Sequence, residues 1–295
     1  MDFQFLLELT VNGALTGWMY SLVALGIVLI YKSSGVPNLA QGAMVMIAAY
    51  LVWVFSSMLA LPIVLALLLA LVAMFFLGLL TERLLLRRMV GQPIIMVVML
   101  TLGLESLLRG IGPGFLGAAP KSLDLGLNMM PIIVGEVFIN REYLVGAAIG
   151  GVMVVLSLLF FRTRVGTKLR AVSDDHVSSW AVGISVERAV GISWGLAGIA
   201  AVAAGAMWGS VQGVDWTLTT LLFPAIAVVI LGGLDSIYGV LVAGLIVGVL
   251  GSVIPGYVDP LVGGGTRDVV TSLIILLTIM FRPHGIFGRE DIERV

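Results

Sequence analysis

Apolar stretches of membrane-spanning length recur along this chain from its first residues to about residue 281. A helix needs about 20 apolar residues to cross roughly 30 Å of hydrocarbon. The charged share is 11% against 60% hydrophobic, too little charge to cover a soluble protein of 295 residues. Backbone polar groups inside a bilayer must be satisfied internally, which leaves helices or closed barrels. The alternating segments of a barrel are missing from the sequence. The expected fold class is therefore all-α: a polytopic helical membrane protein of about eight to nine membrane segments, with allowance for one broken or re-entrant helix. The segments are expected near 5–31, 39–58, 62–81, 93–111, 142–161, 189–212, 217–233, 237–253 and 267–281. No inserted soluble domain is visible, so residues 1–295 are expected to form a single transmembrane domain.

Orientation follows from Lys and Arg in the short loops. Alternation from an outside N-terminus places Lys32, Arg83, Arg87, Arg88, Arg162, Arg164, Lys168, Arg170, Arg188, Arg282, Arg289 and Arg294 inside. Arg109, Lys121, Arg141 and Arg267 fall outside. Twelve of the sixteen basic residues thus share one side. The weakest segment is 217–233, which is short and followed by L-G-G-L-D-S; it is the candidate for the broken or re-entrant helix. The outside loop 112–141, with Pro113, Pro120, Pro131 and several glycines, is too long for a plain connector. It either presents a surface to an extracytoplasmic partner or caps the bundle. Glycines four apart (Gly13 and Gly17, Gly191 and Gly195, Gly205 and Gly209, Gly244 and Gly248) suit close helix packing in lipid.

The longest strongly polar interval is 161–188. Its first part is basic. Its second part reads as a short helix, with Ser173 as cap, Asp174 and Asp175 in the first turn where the helix dipole favours acids, and Gly183 as the stop. Val177, Trp180 and Ala181 share a face at i, i+3, i+4 spacing. An exposed tryptophan there is costly, so the face either packs on the chain's own bundle or membrane surface, or docks into a partner protein. The segment 162–188 is thus a candidate coupling loop, with Asp174, Asp175, Val177, Trp180 and Gly183 as its candidate residues.

Polar side chains inside a membrane are expensive and need a reason. Asn12, Thr16 and Tyr20 form one strip on the first helix, lining a solute path or bonding a neighbouring helix. Pro37 breaks helix geometry and frees carbonyls, which Asn38 and Gln41 can satisfy; a share in gating is the alternative. Thr101, Glu105 and Arg109 lie four apart, and Glu105 can pair with Arg109; a proton relay would want an unpartnered carboxylate. Asn12, Thr16, Tyr20, Asn38, Gln41 and Glu105 are accordingly the candidate pathway residues. Asp215 and Asp235, at helix ends, are expected to be solvated.

Cysteine is absent, and His176 and His284 lie far apart, so no metal site is expected. No hydrolase or metalloprotease signature occurs. The run 114–122 superficially suggests a phosphate loop but has Pro120 where glycine must precede Lys121. The chain is expected to be a transport subunit rather than an enzyme, with no catalytic residues, no cofactor and no nucleotide site of its own. If ATP drives transport, the motor is another subunit.

Three stretches carry a family resemblance. L-G-I-V-L-I-Y-K-S-S-G-V-P-N-L-A-Q-G-A-M (25–44) resembles the first motif of ABC-importer permeases for branched-chain amino acids. V-G-T-K-L-R-A-V-S-D-D-H-V-S-S-W-A-V-G-I-S-V-E-R (165–188) resembles their cytoplasmic coupling loop, and F-R-P-H-G-I-F-G-R-E (281–290) their C-terminal tail. The sequence departs from the family in having Gln41 where many members have histidine, and in lacking a Glu-Ala-Ala core in the coupling loop. The resemblance implies a high-affinity, inner-membrane permease subunit for branched-chain or other hydrophobic amino acids. Its implied partners are two ATP-binding subunits, a second related permease subunit, an extracytoplasmic solute-binding protein and membrane lipid, with no nucleic acid. The same architecture serves urea and short amides. A stand-alone ion-coupled transporter is the rival class.

Overall fold

The computed structural model describes residues 3–89, 92–127, 130–134 and 137–288. The helices in chain order are α1 (Phe3–Ser34), α2 (Gln41–Trp53), α3 (Ile63–Leu84), α4 (Ile94–Leu116), α5 (Arg141–Phe161), α6 (Arg164–Asp174), α7 (His176–Ala181), α8 (Val186–Gln212), α9 (Leu222–Gly232), α10 (Ile237–Val262) and α11 (Thr266–Phe281). A π-helical turn, Val54–Met58, prolongs α2, and a 3-10 turn, Trp216–Leu221, leads into α9. Among the described residues, seven helices are long and apolar enough to cross a membrane: α1, α2 with its π turn, α3, α4, α5, α8 and α10. Trp216–Gly232 is a shorter apolar helix. At 1.5 Å per residue the 16-residue α11 reaches about 24 Å. This is a multi-pass, all-α membrane protein. Its described sheet is one small hairpin, β1 (Ile132–Val134) with β2 (Val137–Ile139), inside the expected loop 112–141.

The bundle is built around α1 and α8. Met19 to Ile30 of α1 is buried without interruption, and α8 buries a long run of Ala and Gly. The small residues explain why. Gly13 and Gly17 of α1 meet Gly248 and Gly244 of α10 backbone to backbone; a Cβ on Gly13 would lie 2.8 Å from the Gly248 carbonyl. Ser21 then donates to the Val240 carbonyl across the same contact at 2.8 Å. On α3, Ala66, Ala70, Met74 and Gly78 are buried at four-residue spacing. This row lies against α8, where Gly195 and Gly198 leave room for Phe75 and Met74. Lipid tails are as apolar as leucine, so close backbone approach rather than hydrophobicity holds such helices together. Large residues go outward: Val64, Leu65, Leu68, Val72, Phe76 and Leu80 of α3 are exposed.

Helix ends depart from expectation where proline is involved. The expected segment 237–253 continues to Val262 through Pro255 and Pro260. Pro255 cannot donate to the Gly251 carbonyl, and Arg267 Nε takes that carbonyl at 3.1 Å. The segment expected to end at 111 continues to Leu116 through Pro113.

Two ends of the bundle are defined by their contacts. At one, Lys121 and Val214 form a two-bond bridge (3.0 and 2.8 Å) and the hairpin rests on α1. At the other lie Lys32, α6, α7, the turn 233–236 and the tail 282–288.

Candidate functional site

Two regions hold the candidate residues. The first is the link between α1 and α2. Pro37 stands in non-helical backbone over 35–40, and α2 starts only at Gln41, beside Gly26, which is six residues back from Lys32 on α1. The link therefore turns back into the bundle, and its backbone groups need partners. Asn38 and Thr101 supply two of them, both to amides, whereas Gln41, expected to satisfy a carbonyl freed by Pro37, is turned to α8; Asn38 and Gln41 have no exposed surface. Asn38 Oδ1 accepts from Ala40 N at 3.0 Å, and its Nδ2 donates to Gln41 Oε1 at 3.3 Å. Gln41 Nε2 donates to the Ala197 carbonyl of α8 at 3.4 Å. Leu39 N donates to Thr101 Oγ1 of α4 at 3.3 Å. Gly42 lets the Thr219 carbonyl approach where any side chain would collide. The link is thus packed against the 3-10 entry to α9, so two interrupted segments lie side by side at depth. The sequence points to the second interruption and, through Pro37, to the first; it does not show that they touch.

Glu105 lies one turn beyond Thr101, its carboxylate 3.4 Å from Arg109. The other strip does not join this cluster. Asn12 Nδ2 donates to the Phe138 carbonyl at 2.8 Å, and Asn12 Oδ1 accepts from Asn140 N at 3.2 Å, tying the hairpin to α1. Thr16 bonds back to the Asn12 carbonyl at 2.8 Å. Tyr20 stacks on Trp208, with centroids 5.0 Å apart. Of the two uses open for this strip, its bonds run to neighbouring structure. Asp215 also departs from expectation: it is buried and caps the 3-10 turn, accepting from Thr217 N at 2.9 Å. Short polar side chains at such turns satisfy amides that would otherwise lack a partner.

The second region is 164–183. Its basic part is a helix, α6, capped by Thr163, whose Oγ1 accepts from Gly166 N at 3.3 Å. Gly166, Leu169 and Val172 are buried, and Arg164, Thr167 and Lys168 are exposed. The expected cap is displaced. Ser173 lies in the last turn of α6, its hydroxyl 3.5 Å from the Tyr31 carbonyl, and Asp174 ends that helix. Asp175 breaks the helix with extended backbone (φ −158°) and caps α7 instead, accepting from Ser178 N at 3.0 Å and Ser178 Oγ at 2.6 Å. Ser173 is overruled because the amphipathic α6 runs on through it. Gly183, in left-handed backbone (φ +83°), ends α7 as expected. The side chain of Val177 lies outside the described residues. Trp180 is 72% exposed and Val182 76% exposed. The apolar knob therefore does not pack on the chain's own bundle.

Lys32 was not marked by the sequence beyond its contribution to the charge count. Its Nζ donates to the Asp235 carbonyl at 2.6 Å and lies 5.5 Å over the Phe161 ring. Arg267, read as a loop charge, is the donor that replaces the amide lost at Pro255.

Interrupted helices satisfied deep in the bundle, with an exposed amphipathic segment at one end, belong to a polytopic membrane protein of the permease kind once the comparisons are added. The comparisons give the family. The family model described as branched-chain amino acid transport system / permease component matches residues 9–281, and the chain belongs to that family. Among relatives, the high-affinity branched-chain amino acid transport system permease protein BraD of Pseudomonas aeruginosa is 26% identical, covering 98% of each chain. LivH of Escherichia coli, described in the same words, is 24% identical over 100% of this chain and 99% of its own. The probable branched-chain amino acid transport permease protein LivH of Methanocaldococcus jannaschii is 28% identical over 90% of this chain and 88% of its own. A solved structure, PsaBC from Streptococcus pneumoniae in complex with Fab, aligns over 96% of this chain at a TM-score of 0.47 and 16% identity, too loosely to bear on the site.

Proposed function

We propose that this permease is the membrane-spanning subunit of an ATP-driven importer that passes branched-chain or other hydrophobic amino acids delivered by an extracytoplasmic binding protein. It sits in the inner membrane with the N-terminus outside and the C-terminus cytoplasmic, as the distribution of Lys and Arg supports. It works with two ATP-binding subunits and a second related permease. The observation that carries this reading is the bare tryptophan: Trp180, 72% exposed on the six-residue α7, at the end of the bundle that also holds Lys32 and α6. An apolar ring held out on a capped, polar helix is suited to a pocket on a partner. In this reading Asp174 faces basic groups of the ATPase, with Asp175 doing so beside its role as cap of α7, Val177 and Trp180 form the knob, and Gly183 lets the chain turn away. ATPase closure pushes α6 and α7 and shifts α5 and α8 between two arrangements. On the same reading the buried link of Asn38 and Gln41 shares in gating, and Glu105, Asn12, Thr16 and Tyr20 are pathway residues apart from it, the strip being tied to the hairpin and to Trp208. The Glu105–Arg109 pair favours this over ion-coupled transport, since a relay needs a carboxylate without such a neighbour.

Trp180→Ala tests the reading. A tryptophan anchoring an interface contributes about 2 kcal/mol or more of binding. The variant should lose ATPase retention and amino-acid uptake while the bundle stays folded. Normal uptake with normal ATPase assembly would refute the docking surface.

A further inference from the structure

We propose that Lys32 is a positioning residue: it transmits displacement of the coupling segment to α9, and through α9 to the buried α1–α2 link. This rests on the reading of 171–184 as the ATPase contact.

The geometry is a chain of short contacts. Ser173, in the last turn of α6, reaches the Tyr31 carbonyl, adjacent to Lys32. Lys32 crosses to the turn after α9, donating to the Asp235 carbonyl at 2.6 Å, and its ammonium also faces the Phe161 ring at the end of α5. A lysine in the last turn of a helix ordinarily extends toward water. This one bridges three elements instead. The tail locks the far side of the same turn: Ile286 N donates to the Leu231 carbonyl at 2.8 Å and Phe287 N to the Gly232 carbonyl at 3.2 Å. The end of α9 is thereby one unit with the tail. At its other end, the entry to α9 presents the Thr219 carbonyl to Gly42, beside Gln41.

Around this strut the packing is open. Cavities of about 530 and 250 Å³ flank it, and Lys32, Arg170 and Asp235 line both. Space there lets α6 move; the hydrogen bond and the ring contact decide what moves with it. Two discrete arrangements of such a packed element are what physical coupling requires.

The test uses the assembled complex with its ATPase and binding protein, reconstituted in liposomes. Lys32→Met keeps the length and removes the charge and the donor. Uptake per ATP hydrolysed is expected to fall about tenfold, with ATPase retention unchanged. Lys32→Arg, which donates and also stacks on aromatic faces, should restore most of it; a merely structural residue would change abundance and not this ratio. Full uptake per ATP in Lys32→Met, with the ATPase retained, overturns the strut alone. A complex that never retains an ATPase overturns the docking reading and the strut together. Should Lys32→Met not fold, spin labels at the exposed Lys168→Cys on α6 and Arg282→Cys on the tail, on the Lys32 background, decide the matter. Their separation is expected to stay constant between nucleotide-free and nucleotide-bound states, and a change of separation refutes the strut.

Discussion

The buried link at 37–42 and the exposed segment at 164–183 are both breaks in a helical chain, yet they are finished in opposite ways. At the link, every named polar group has a partner inside the bundle: Asn38 with Ala40 and Gln41, Gln41 with Ala197, Leu39 with Thr101. At the segment, the polar groups are satisfied locally by Thr163 and Asp175, and the apolar groups Trp180 and Val182 are left bare. Irregular backbone at membrane depth survives only when the protein itself satisfies it. A surface helix has water for that purpose and can keep its apolar side for something else. Substitutions at the link should therefore act on folding, and substitutions at the segment on coupling.

The largest effect on stability should come from Gly26→Val, whose side chain would occupy the place of the Gln41 amide. Overpacking of this kind costs about 3 kcal/mol, visible as a collapse of the thermal unfolding temperature in detergent. A normal melting profile would mean that the link is looser than described. Gln41→Leu comes next. It removes the second donor on the Ala197 carbonyl and leaves the buried Asn38 amide with only the weak Met44 Sδ acceptor at 3.4 Å, a loss of about 2 kcal/mol, read in the same assay. Asn12→Ala should cost about 1 kcal/mol and speed amide hydrogen exchange at Asn140, whose N–H it now holds. Trp180→Ala should be the mildest, within about 0.5 kcal/mol as for an exposed site, although it is the variant expected to abolish uptake. If Trp180→Ala destabilises the bundle as much as Gln41→Leu does, the contrast between the two regions fails.

Much of this was legible in the sequence because bilayers impose length. The helix ends near 31–34, 161, 212 and 281 follow from where apolar residues stop and charges begin. The glycine pairs were legible as packing devices, and Gly13 and Gly17 do meet Gly244 and Gly248. What escaped is long-range pairing. The segment expected to end at 253 runs on through Pro255, where Arg267 takes the Gly251 carbonyl. Ser173 reads as a cap until α6 is seen to run through it to Asp174. Asp215 reads as solvated until the bridge of Lys121 to Val214 is seen to close over that end. Asn12 shares a helical strip with Thr16 and Tyr20, but its partners are 126 and 128 residues away. Spacing identifies a face of a helix; it does not identify what that face meets.

If α7 is the ATPase contact proposed above, Trp180 lies bare on the cytoplasmic face. The natural chain has no cysteine, so Trp180→Cys can be labelled alone. With a membrane-impermeant maleimide, labelling is expected in inside-out vesicles, with protection when the ATPase is bound, and none in right-side-out cells. Labelling from outside intact cells would contradict that placement.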